Sequence, residues 1–178
     1  MITLVVGGAR SGKSSYGEAK FKEKNDVVYI ATSRKEDHEM EERVKHHKSL
    51  RPLMWRTFEG TYNLTNAVGS EENYLLDCIT VMISNIMYDM SKELETIDES
   101  FQRSIEDKVI NEIYKLVDKI KESNKELVMV TNEVGCSIVP DNHIARVYRD
   151  IAGRVNQRAA EMADEVYAVI CGIPLRLK

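Results

Sequence analysis

Short apolar runs alternate along the chain with longer amphipathic or charged stretches. Several runs are rich in valine, isoleucine and tyrosine, and their apolar residues are consecutive rather than alternating with polar ones. This pattern predicts strands that are buried on both faces of a sheet. The predicted strands are Ile2–Val6, Val27–Ala31, Tyr74–Leu76, Leu127–Val130 and Val166–Ile170, with a short edge strand at Leu175–Leu177 after Pro174.

The stretches between these runs have the length of helices. Strands that alternate with helices predict βαβ units and a mostly parallel sheet covered on both faces. The polar segment 91–107 is expected to form a solvated loop or a helix extension. No linker or internal repeat divides the chain, so we expect one domain spanning residues 1–178. The predicted helices are Lys13–Lys24, Glu36–Leu50, Ile79–Met90, Ile105–Glu122 and Asp141–Ala163, the last capped by Asp141 or Asn142.

The composition narrows the class of protein without identifying its chemistry. The 178 residues include 25 Lys and Arg against 29 Asp and Glu, and this net charge of −4 argues against nucleic acid as the main partner. The longest nearly unbroken apolar stretch, Val166–Leu175, has ten residues, too few for a membrane span. Three widely spaced cysteines, Cys78, Cys136 and Cys171, argue against a disulfide framework or structural zinc. We expect no secretory signal and a cytoplasmic location.

Residues 7–14 match the phosphate-binding pattern G-x-x-x-x-G-K-[ST] at every fixed position. Glycines let the backbone curl so that successive N–H groups point inward, and the N-terminus of the following helix adds partial positive charge. Lys13 would neutralise the β- and γ-phosphates of a nucleotide, and the Ser14 hydroxyl would coordinate Mg²⁺. The alternative is a chance match in a glycine-containing turn, and the preceding strand and following helix argue against it.

An acidic residue ends the apolar run that begins at Tyr74. A phosphate-binding loop needs a carboxylate at the end of a neighbouring strand to orient Mg²⁺, and Asp77 has that position. The alternative is that Asp77 only caps the helix from Ile79. The phosphate-binding loop favours the metal role. The polar residues 131–133 follow another strand, where they could contact a ligand or simply form a turn.

Two adjacent histidines, His46 and His47, lie in a highly charged segment with helical spacing. His47 falls on the same face as Met40 and Val44, whereas His46 lies about 100° round the helix. A neutral imidazole is a nucleophile near neutral pH. Two histidines on a solvated helix are the alternative, and spacing alone favours that alternative. Three neighbouring cations would suit a site that handles a triphosphate: Arg43, Lys48 and Arg51.

The chain as a whole resembles the bifunctional adenosylcobinamide kinase / adenosylcobinamide-phosphate guanylyltransferase family of cobalamin biosynthesis. The resemblance covers nearly the full length in the order of the family, and its last block is more specific than the phosphate-binding pattern. The matching stretches are GGARSGKS (7–14), YIATS (29–33), DHEMEERVKHHKSLRP (37–52), WRTFE (55–59), LLDCIT (75–80), VTNEVGCSIVP (130–140) and ARVYRDIAGRVNQRAAEMADEVY (145–167).

This resemblance implies a three-layer RecA-like P-loop fold and two activities that use GTP and ATP as substrates, with Mg²⁺ as cofactor. One activity phosphorylates the hydroxyl of the aminopropanol arm of adenosylcobinamide. The other transfers GMP from GTP to adenosylcobinamide phosphate through a guanylylated histidine. His47 is the residue that corresponds to this nucleophile, and His46 is the fallback. The family also implies a homotrimer whose neighbouring subunits help to form the site.

The resemblance also carries residue roles to this chain. Lys13 joins the two histidines as catalytic, and Ser14 and Asp77 become the metal ligands. Asp77 stands where many members have Glu, and Leu50 and Ser137 stand where Gly is common. The implied nucleotide contacts are Gly7, Gly8, Ala9, Arg10, Ser11, Gly12, Lys13, Ser14, Ala31, Thr32, Ser33, Lys48, Ser49, Leu50, Arg51, Glu59 and Asp77.

Two rival functions fit parts of the chain. A small-molecule P-loop kinase would explain residues 7–14 and Asp77, but it would leave the histidine pair and the last matching block without a role. A GTP-dependent switch would carry a guanine-reading N-K-x-D element on a later strand end, where this chain has residues 131–134, T-N-E-V, instead. The bifunctional transferase accounts for the most features.

Overall fold

The computed structural model describes residues 1–34 and 52–178. The predicted helix Glu36–Leu50, with its histidine pair, lies outside these residues. Within them, seven strands form one sheet in the order β3-β2-β4-β5-β1-β6-β7. All neighbouring strands pair in parallel except β6 and β7, which are antiparallel. The strands are β1 (Ile2–Gly7), β2 (Val27–Ala31), β3 (Arg56–Glu59), β4 (Asn73–Asp77), β5 (Glu126–Asn132), β6 (Glu165–Ile170) and β7 (Ile173–Arg176).

Helices cover both faces of this sheet. Helix α1 packs with Phe21 against one face, whereas α2, α3 and α4 pack against the other. The predicted α/β fold with a mostly parallel sheet is therefore confirmed, and the described residues form three layers. The helices are α1 (Lys13–Ala19), α2 (Ile79–Ser91), α3 (Glu99–Glu122) and α4 (His143–Met162), with a 3₁₀ turn at Leu64–Ala67. In this part of the chain, no helix is both long and apolar enough to cross a membrane.

The central strands are apolar on both faces because each face is covered. Along β4, Leu75 faces the layer of α1, and its neighbours Tyr74 and Leu76 belong to the core under the other helices. All three side chains are fully buried. Burial on both sides is what produces consecutive apolar residues in a parallel sheet, so the runs in the sequence predicted these strands.

The outer elements differ from the sequence prediction. Strand β3 was not predicted, because three of its four residues are exposed and it carries no apolar run. Strand β7 begins at Ile173 and contains Pro174, which an edge strand tolerates. Helix α1 ends at Ala19 rather than Lys24. An edge strand needs burial on neither face, so its sequence gives little signal.

Side-chain caps determine where two helices begin. Helix α3 starts at Glu99 rather than Ile105, because the Asp98 side chain accepts a hydrogen bond from Phe101 N. Much of the polar segment 91–107 is therefore helical, which confirms the expected helix extension and not the solvated loop. At α4, the Asn142 side chain accepts a hydrogen bond from Ala145 N, so Asn142 is the cap and not Asp141.

The carboxyl ends of the parallel strands meet at one edge of the sheet. Ala31 is the register partner of both Glu59 and Asp77, and Gly7 is the register partner of Asn132. In open α/β sheets this edge is where ligands bind. The fold thus gathers at one edge several residues that are far apart in the sequence.

Candidate nucleotide site

The phosphate-binding turn, residues 7–14, connects β1 to α1. Gly7 ends β1 so close to β6 that a Cβ atom there would lie 2.7 Å from Val169 O and would also overlap Ser11 Oγ. Gly12 has a φ of 92°, in the left-handed region that favours glycine. By contrast, a Cβ atom at Gly8 would meet nothing within 4 Å. The two glycines that the motif fixes are therefore the two that this backbone requires.

Lys13 turns back over the phosphate-binding turn. It is the first residue of α1, only 9% of it is exposed, and its Nζ donates a hydrogen bond to Gly8 O at 3.1 Å. The same carbonyl accepts a hydrogen bond from Ser11 N at 3.2 Å. An ammonium group held beside a glycine-rich turn is suited to binding an anion such as a polyphosphate.

The β6–β7 hairpin supports this turn from a distant part of the sequence. Its two-residue connection, Cys171 and Gly172, has positive φ at both positions. Gly172 N donates a hydrogen bond to Ser11 O at 2.8 Å, and a Cβ atom at Gly12 would lie 3.2 Å from Gly172 Cα. The hairpin and the phosphate-binding turn thus pack backbone against backbone, a contact that the sequence did not predict.

Asp77 ends β4, next to the end of β2. Its carboxylate is half-buried, and Oδ2 accepts a hydrogen bond of 2.7 Å from the hydroxyl of Tyr29. The described residues contain no cluster of three or more His, Cys, Asp or Glu side chains that could hold a metal by themselves. A hard cation at Asp77 would need further oxygens from a hydroxyl such as that of Ser14, from phosphate or from water. This donor set fits Mg²⁺ bound together with a nucleotide.

Thr32 joins the ends of β2 and β4. Its side chain is buried, and Oγ1 accepts a hydrogen bond from Cys78 N and donates one to Cys78 O, at 2.9 and 2.8 Å. Its own carbonyl accepts a hydrogen bond of 2.7 Å from the Asn85 side chain. The hydroxyl of Thr32 is therefore occupied by backbone groups, and its nucleotide contact stays a prediction, as does that of half-buried Ser33.

Further polar contacts join the start of α2 to β5 and α4. Asn132 Nδ2 donates to Thr80 Oγ1 at 2.6 Å, and the Tyr148 hydroxyl donates to Thr80 O at 3.2 Å. Burial is the main cause that raises the pKa of the Cys78 thiol, with the charge of Asp77 second, and burial raises the pKa of Tyr148 to about 12. Both groups stay protonated at neutral pH, so Cys78 is not a thiolate nucleophile.

The sequence analysis missed two of these polar partners, Tyr29 and Thr80. We use the name strand-end cluster for Tyr29, Thr32, Asp77, Thr80 and Asn132, which meet at the carboxyl ends of β2, β4 and β5. Only Asp77, Thr32 and the end of β5 were singled out from the sequence. Tyr29 lies inside an apolar run, where its hydroxyl gives no separate signal.

An ion pair lies where the described residues stop before the histidine segment. Arg34 donates two hydrogen bonds to the Asp89 carboxylate, at 2.7 and 2.5 Å, and the Tyr62 hydroxyl donates a third at 2.9 Å. The hydrogen bonds from Arg34 are the main cause that lowers the pKa of Asp89. This contact links the segment that follows β2 to α2.

The structure brings together part of the predicted site. The phosphate-binding turn, Ala31 and Asp77 lie at the carboxyl edge, and exposed Glu59 ends β3 beside Ala31. Six predicted site residues lie outside the described part of the chain, so their roles stay predictions: His46, His47, Lys48, Ser49, Leu50 and Arg51.

Comparison with known proteins extends over the whole chain. The sequence model of the family described as cobinamide kinase / cobinamide phosphate guanyltransferase matches residues 3–177. A protein of Escherichia coli named bifunctional adenosylcobalamin biosynthesis protein CobU is 41% identical over 182 residues, covering 100% of both chains. The protein of the same name from Salmonella typhimurium is 43% identical over 185 residues, again with full coverage of both.

A more distant relative agrees with this result, and a solved structure supports the fold. The bifunctional adenosylcobalamin biosynthesis protein CobP of Pseudomonas aeruginosa is 32% identical over 183 residues, covering 100% of this chain and 98% of its own. The solved structure of an ATPase from a type III secretion system superposes with a TM-score of 0.56 at 9% identity. That superposition covers 94% of this chain and 51% of the ATPase, and it supports the fold alone.

Proposed function

The chain belongs to the cobinamide kinase / cobinamide phosphate guanyltransferase family, and from that premise we propose that it phosphorylates adenosylcobinamide and then transfers GMP to the product. The observation that carries the proposal is the intact phosphate-binding turn, with Lys13 folded over it, in a chain that aligns with its relatives from end to end. The product of the two steps would be adenosylcobinamide-GDP.

In the kinase step, the hydroxyl oxygen of the aminopropanol arm attacks the γ-phosphorus of ATP or GTP. The bond from that phosphorus to the bridging oxygen breaks, the nucleoside diphosphate leaves, and the hydroxyl proton is released. Lys13 neutralises charge on the β- and γ-phosphates, while the backbone of the turn positions them. Mg²⁺ held by Ser14 and Asp77 would add a second positive charge at these phosphates.

In the guanylyl step, the imidazole of His47 attacks the α-phosphorus of GTP, and pyrophosphate leaves. A phosphate oxygen of adenosylcobinamide phosphate then attacks the same phosphorus, and the phosphorus–nitrogen bond breaks to regenerate the histidine. Lys48 and Arg51 would stabilise the leaving pyrophosphate. One bound pose cannot present both the γ- and the α-phosphorus, so the proposal requires two nucleotide poses or a moving histidine segment.

The proposal includes a cytoplasmic homotrimer. Three apolar side chains near the sheet edge, Ile170, Ile173 and Leu175, are 63%, 70% and 56% exposed. An exposed apolar edge strand is a surface suited to another copy of the chain. Sedimentation equilibrium of the purified protein should give the mass of three chains, and a monomer at micromolar concentration would contradict this part of the proposal.

Retention of radiolabel tests the two steps separately. Wild-type protein incubated with GTP labelled at the α-phosphate should keep the label after alkaline denaturation, and so should Lys22→Ala as a surface control. His47→Ala should lose the label but still phosphorylate adenosylcobinamide with ATP, as followed by product mass. If His47→Ala keeps the label and His46→Ala loses it, His46 is the nucleophile. If the wild-type protein phosphorylates adenosylcobinamide but retains no label, it is a small-molecule kinase without guanylyltransferase activity.

A further inference from the structure

Tyr29 holds one oxygen of the Asp77 carboxylate. The tyrosine lies in the middle of β2, 3% exposed, and its hydroxyl donates to Asp77 Oδ2 at 2.7 Å. Ala31, two residues further along β2, is the register partner of Asp77. The phenol ring therefore runs along the sheet towards the carboxyl edge, and its hydroxyl reaches the side chain at that edge. Among the described residues, Asp77 Oδ1 accepts no hydrogen bond.

We propose that Tyr29 is a positioning residue for the metal of the bound nucleotide: it holds Asp77 Oδ2 so that Oδ1 remains the oxygen for Mg²⁺. This inference rests on the proposed function, because it takes Asp77 as the carboxylate that accompanies the phosphate-binding turn. Tyr29 itself touches neither metal nor substrate. It acts only through the orientation of Asp77.

The packing around Tyr29 makes it a rigid donor. Its ring lies in the core layer between the sheet and α1, together with Val5, Leu75 and Val130. A carboxylate on a strand end otherwise rotates about two torsions, and a fixed hydrogen bond removes that freedom before the ligand arrives. A fixed partner of a metal ligand is typically worth about 10- to 100-fold in metal affinity.

The chemistry of the donor suits this role. A tyrosine hydroxyl is neutral, so it orients the carboxylate without cancelling its negative charge. An arginine or lysine at the same place would orient Asp77 and also lower its attraction for a cation. The described structure thus places a neutral donor, rather than a cation, against the Asp77 carboxylate.

Tyr74 provides a matched control within the same sheet. It is fully buried in β4, and its hydroxyl donates to Glu71 O at 2.8 Å, on the face of the sheet away from α1. Tyr74→Phe therefore removes the same atom from the same kind of buried environment. The difference is in the partners, which are backbone groups instead of the Asp77 carboxylate: the Tyr74 hydroxyl also accepts a hydrogen bond from Gly69 N at 3.1 Å and lies 3.3 Å from Gly69 O.

Binding of a fluorescent, non-hydrolysable GTP analogue measures the effect without turnover. The analogue is titrated with EDTA present and then at increasing Mg²⁺ for wild type, Tyr29→Phe, Tyr74→Phe, Asp77→Asn and the Tyr29→Phe/Asp77→Asn double variant. We expect Tyr29→Phe to raise the half-saturating Mg²⁺ concentration about tenfold and to leave metal-free binding unchanged. Tyr74→Phe should match wild type, and the double variant should match Asp77→Asn.

The outcomes separate this inference from the function on which it rests. If Asp77→Asn lowers the Mg²⁺ affinity but Tyr29→Phe behaves like Tyr74→Phe, the role of Tyr29 is wrong and the kinase assignment stands. If Asp77→Asn binds Mg²⁺ as wild type does, the metal role of Asp77 is wrong and this inference falls with it, while phosphorylation of adenosylcobinamide still tests the proposed function. Equal loss of metal-free and metal-dependent binding in Tyr29→Phe would show a merely structural role.

A second measurement keeps both tyrosine hydroxyls in place, in case Tyr29→Phe does not fold. Wild-type protein labelled with 3-fluorotyrosine gives one fluorine resonance for each tyrosine. The resonance of Tyr29 should shift when Mg²⁺ is added to the nucleotide complex, whereas that of Tyr74 should not. A Tyr29 resonance whose chemical shift does not change on adding Mg²⁺ would overturn the inference.

Discussion

The phosphate-binding turn and the strand-end cluster lie at the same edge of the sheet but are built in different ways. The turn is eight consecutive residues whose main requirement is the absence of side chains at Gly7 and Gly12. The cluster takes single residues from β2, β4 and β5 and the start of α2, and it depends on hydroxyl, amide and carboxylate groups that meet within 3 Å.

This difference predicts which substitutions will damage each region. A turn that binds through its backbone is sensitive to added volume and tolerant at its outward positions. A cluster that binds through side chains is sensitive to the loss of single polar atoms, because each lost atom leaves a buried partner without a hydrogen bond. The comparison therefore predicts large functional effects in the turn and, apart from Tyr29 and Asp77, mainly stability effects in the cluster.

The largest effect is expected from removing the charge in the turn. Lys13→Ala deletes the only side chain of the turn that we propose to act on the β- and γ-phosphates, and kcat/KM for phosphorylation of adenosylcobinamide should fall about 10³-fold. Initial rates with ATP measure this, with the exposed Lys22→Ala as control. A fall of less than about tenfold would show that Lys13 is not a catalytic residue.

The next effect separates two neighbouring glycines. Gly7→Ala places a methyl group 2.7 Å from Val169 O, a backbone atom of β6 that cannot easily move, so the turn itself must shift. We expect nucleotide affinity to fall about 100-fold, equivalent to about 2.7 kcal/mol. Gly8→Ala meets no protein atom within 4 Å, so its loss of affinity should be clearly smaller than that of Gly7→Ala, although Gly8 is also a predicted nucleotide contact. Calorimetric titration of both variants with a GTP analogue makes the comparison, and equal losses would contradict it.

The same difference explains how much the sequence could predict. The position of the turn could be predicted because its eight residues are contiguous, and the position of Asp77 at a strand end could be predicted because three apolar residues precede it. Tyr29 and Thr80 could not be recognised, since their partners are fixed only by the register of β2 against β4 and by α4 packing on the other face. The contact of Gly172 with Ser11 likewise depends on the position of a hairpin more than 150 residues away.

The edges of the fold were predicted less well for a related reason. Strand β3 is recognised by its pairing with β2 and not by burial, as Arg56 and Glu59 show. The histidine pair lies outside the described residues, so its role depends on family membership and on the predicted helical face that His47 would share with Met40. Signals based on burial therefore predict the central strands of the sheet and miss the outer strand β3.

Within the cluster, Thr32→Val should lower stability more than activity. The methyl group fills the space of the hydroxyl but leaves the buried N–H and C=O of Cys78 without their side-chain partner. We expect a loss of about 2 kcal/mol and a fall in Tm of about 4–8 °C. Thr57→Val in exposed β3 is the control and should stay within about 0.5 kcal/mol. Thermal unfolding measures both, and nearly equal Tm values would contradict the proposed link between β2 and β4.

The smallest effect concerns Cys78, which follows Asp77 and contacts Thr32 and Thr80 of the cluster. Because burial raises its pKa above the ordinary thiol value, less thiolate forms in the folded chain than in the unfolded chain at the same pH. Alkylation of Cys78 by iodoacetamide at pH 8 should therefore be at least about tenfold slower in the native protein than in urea. Mass spectrometry of the peptides measures this, with exposed Cys136 and Cys171 as controls for reagent access.

The pH dependence of stability follows from the same shift. The folded state keeps the Cys78 proton to higher pH than the unfolded state, so the stabilisation is complete below the unfolded thiol pKa and is lost as the pH rises through the folded one. Between pH 8 and 10, wild type should therefore lose more stability than Cys78→Ala in urea unfolding. Parallel losses, or equal alkylation rates in native and unfolded protein, would mean that Cys78 is open to solvent and that the ends of β4 and β5 are not closed over it.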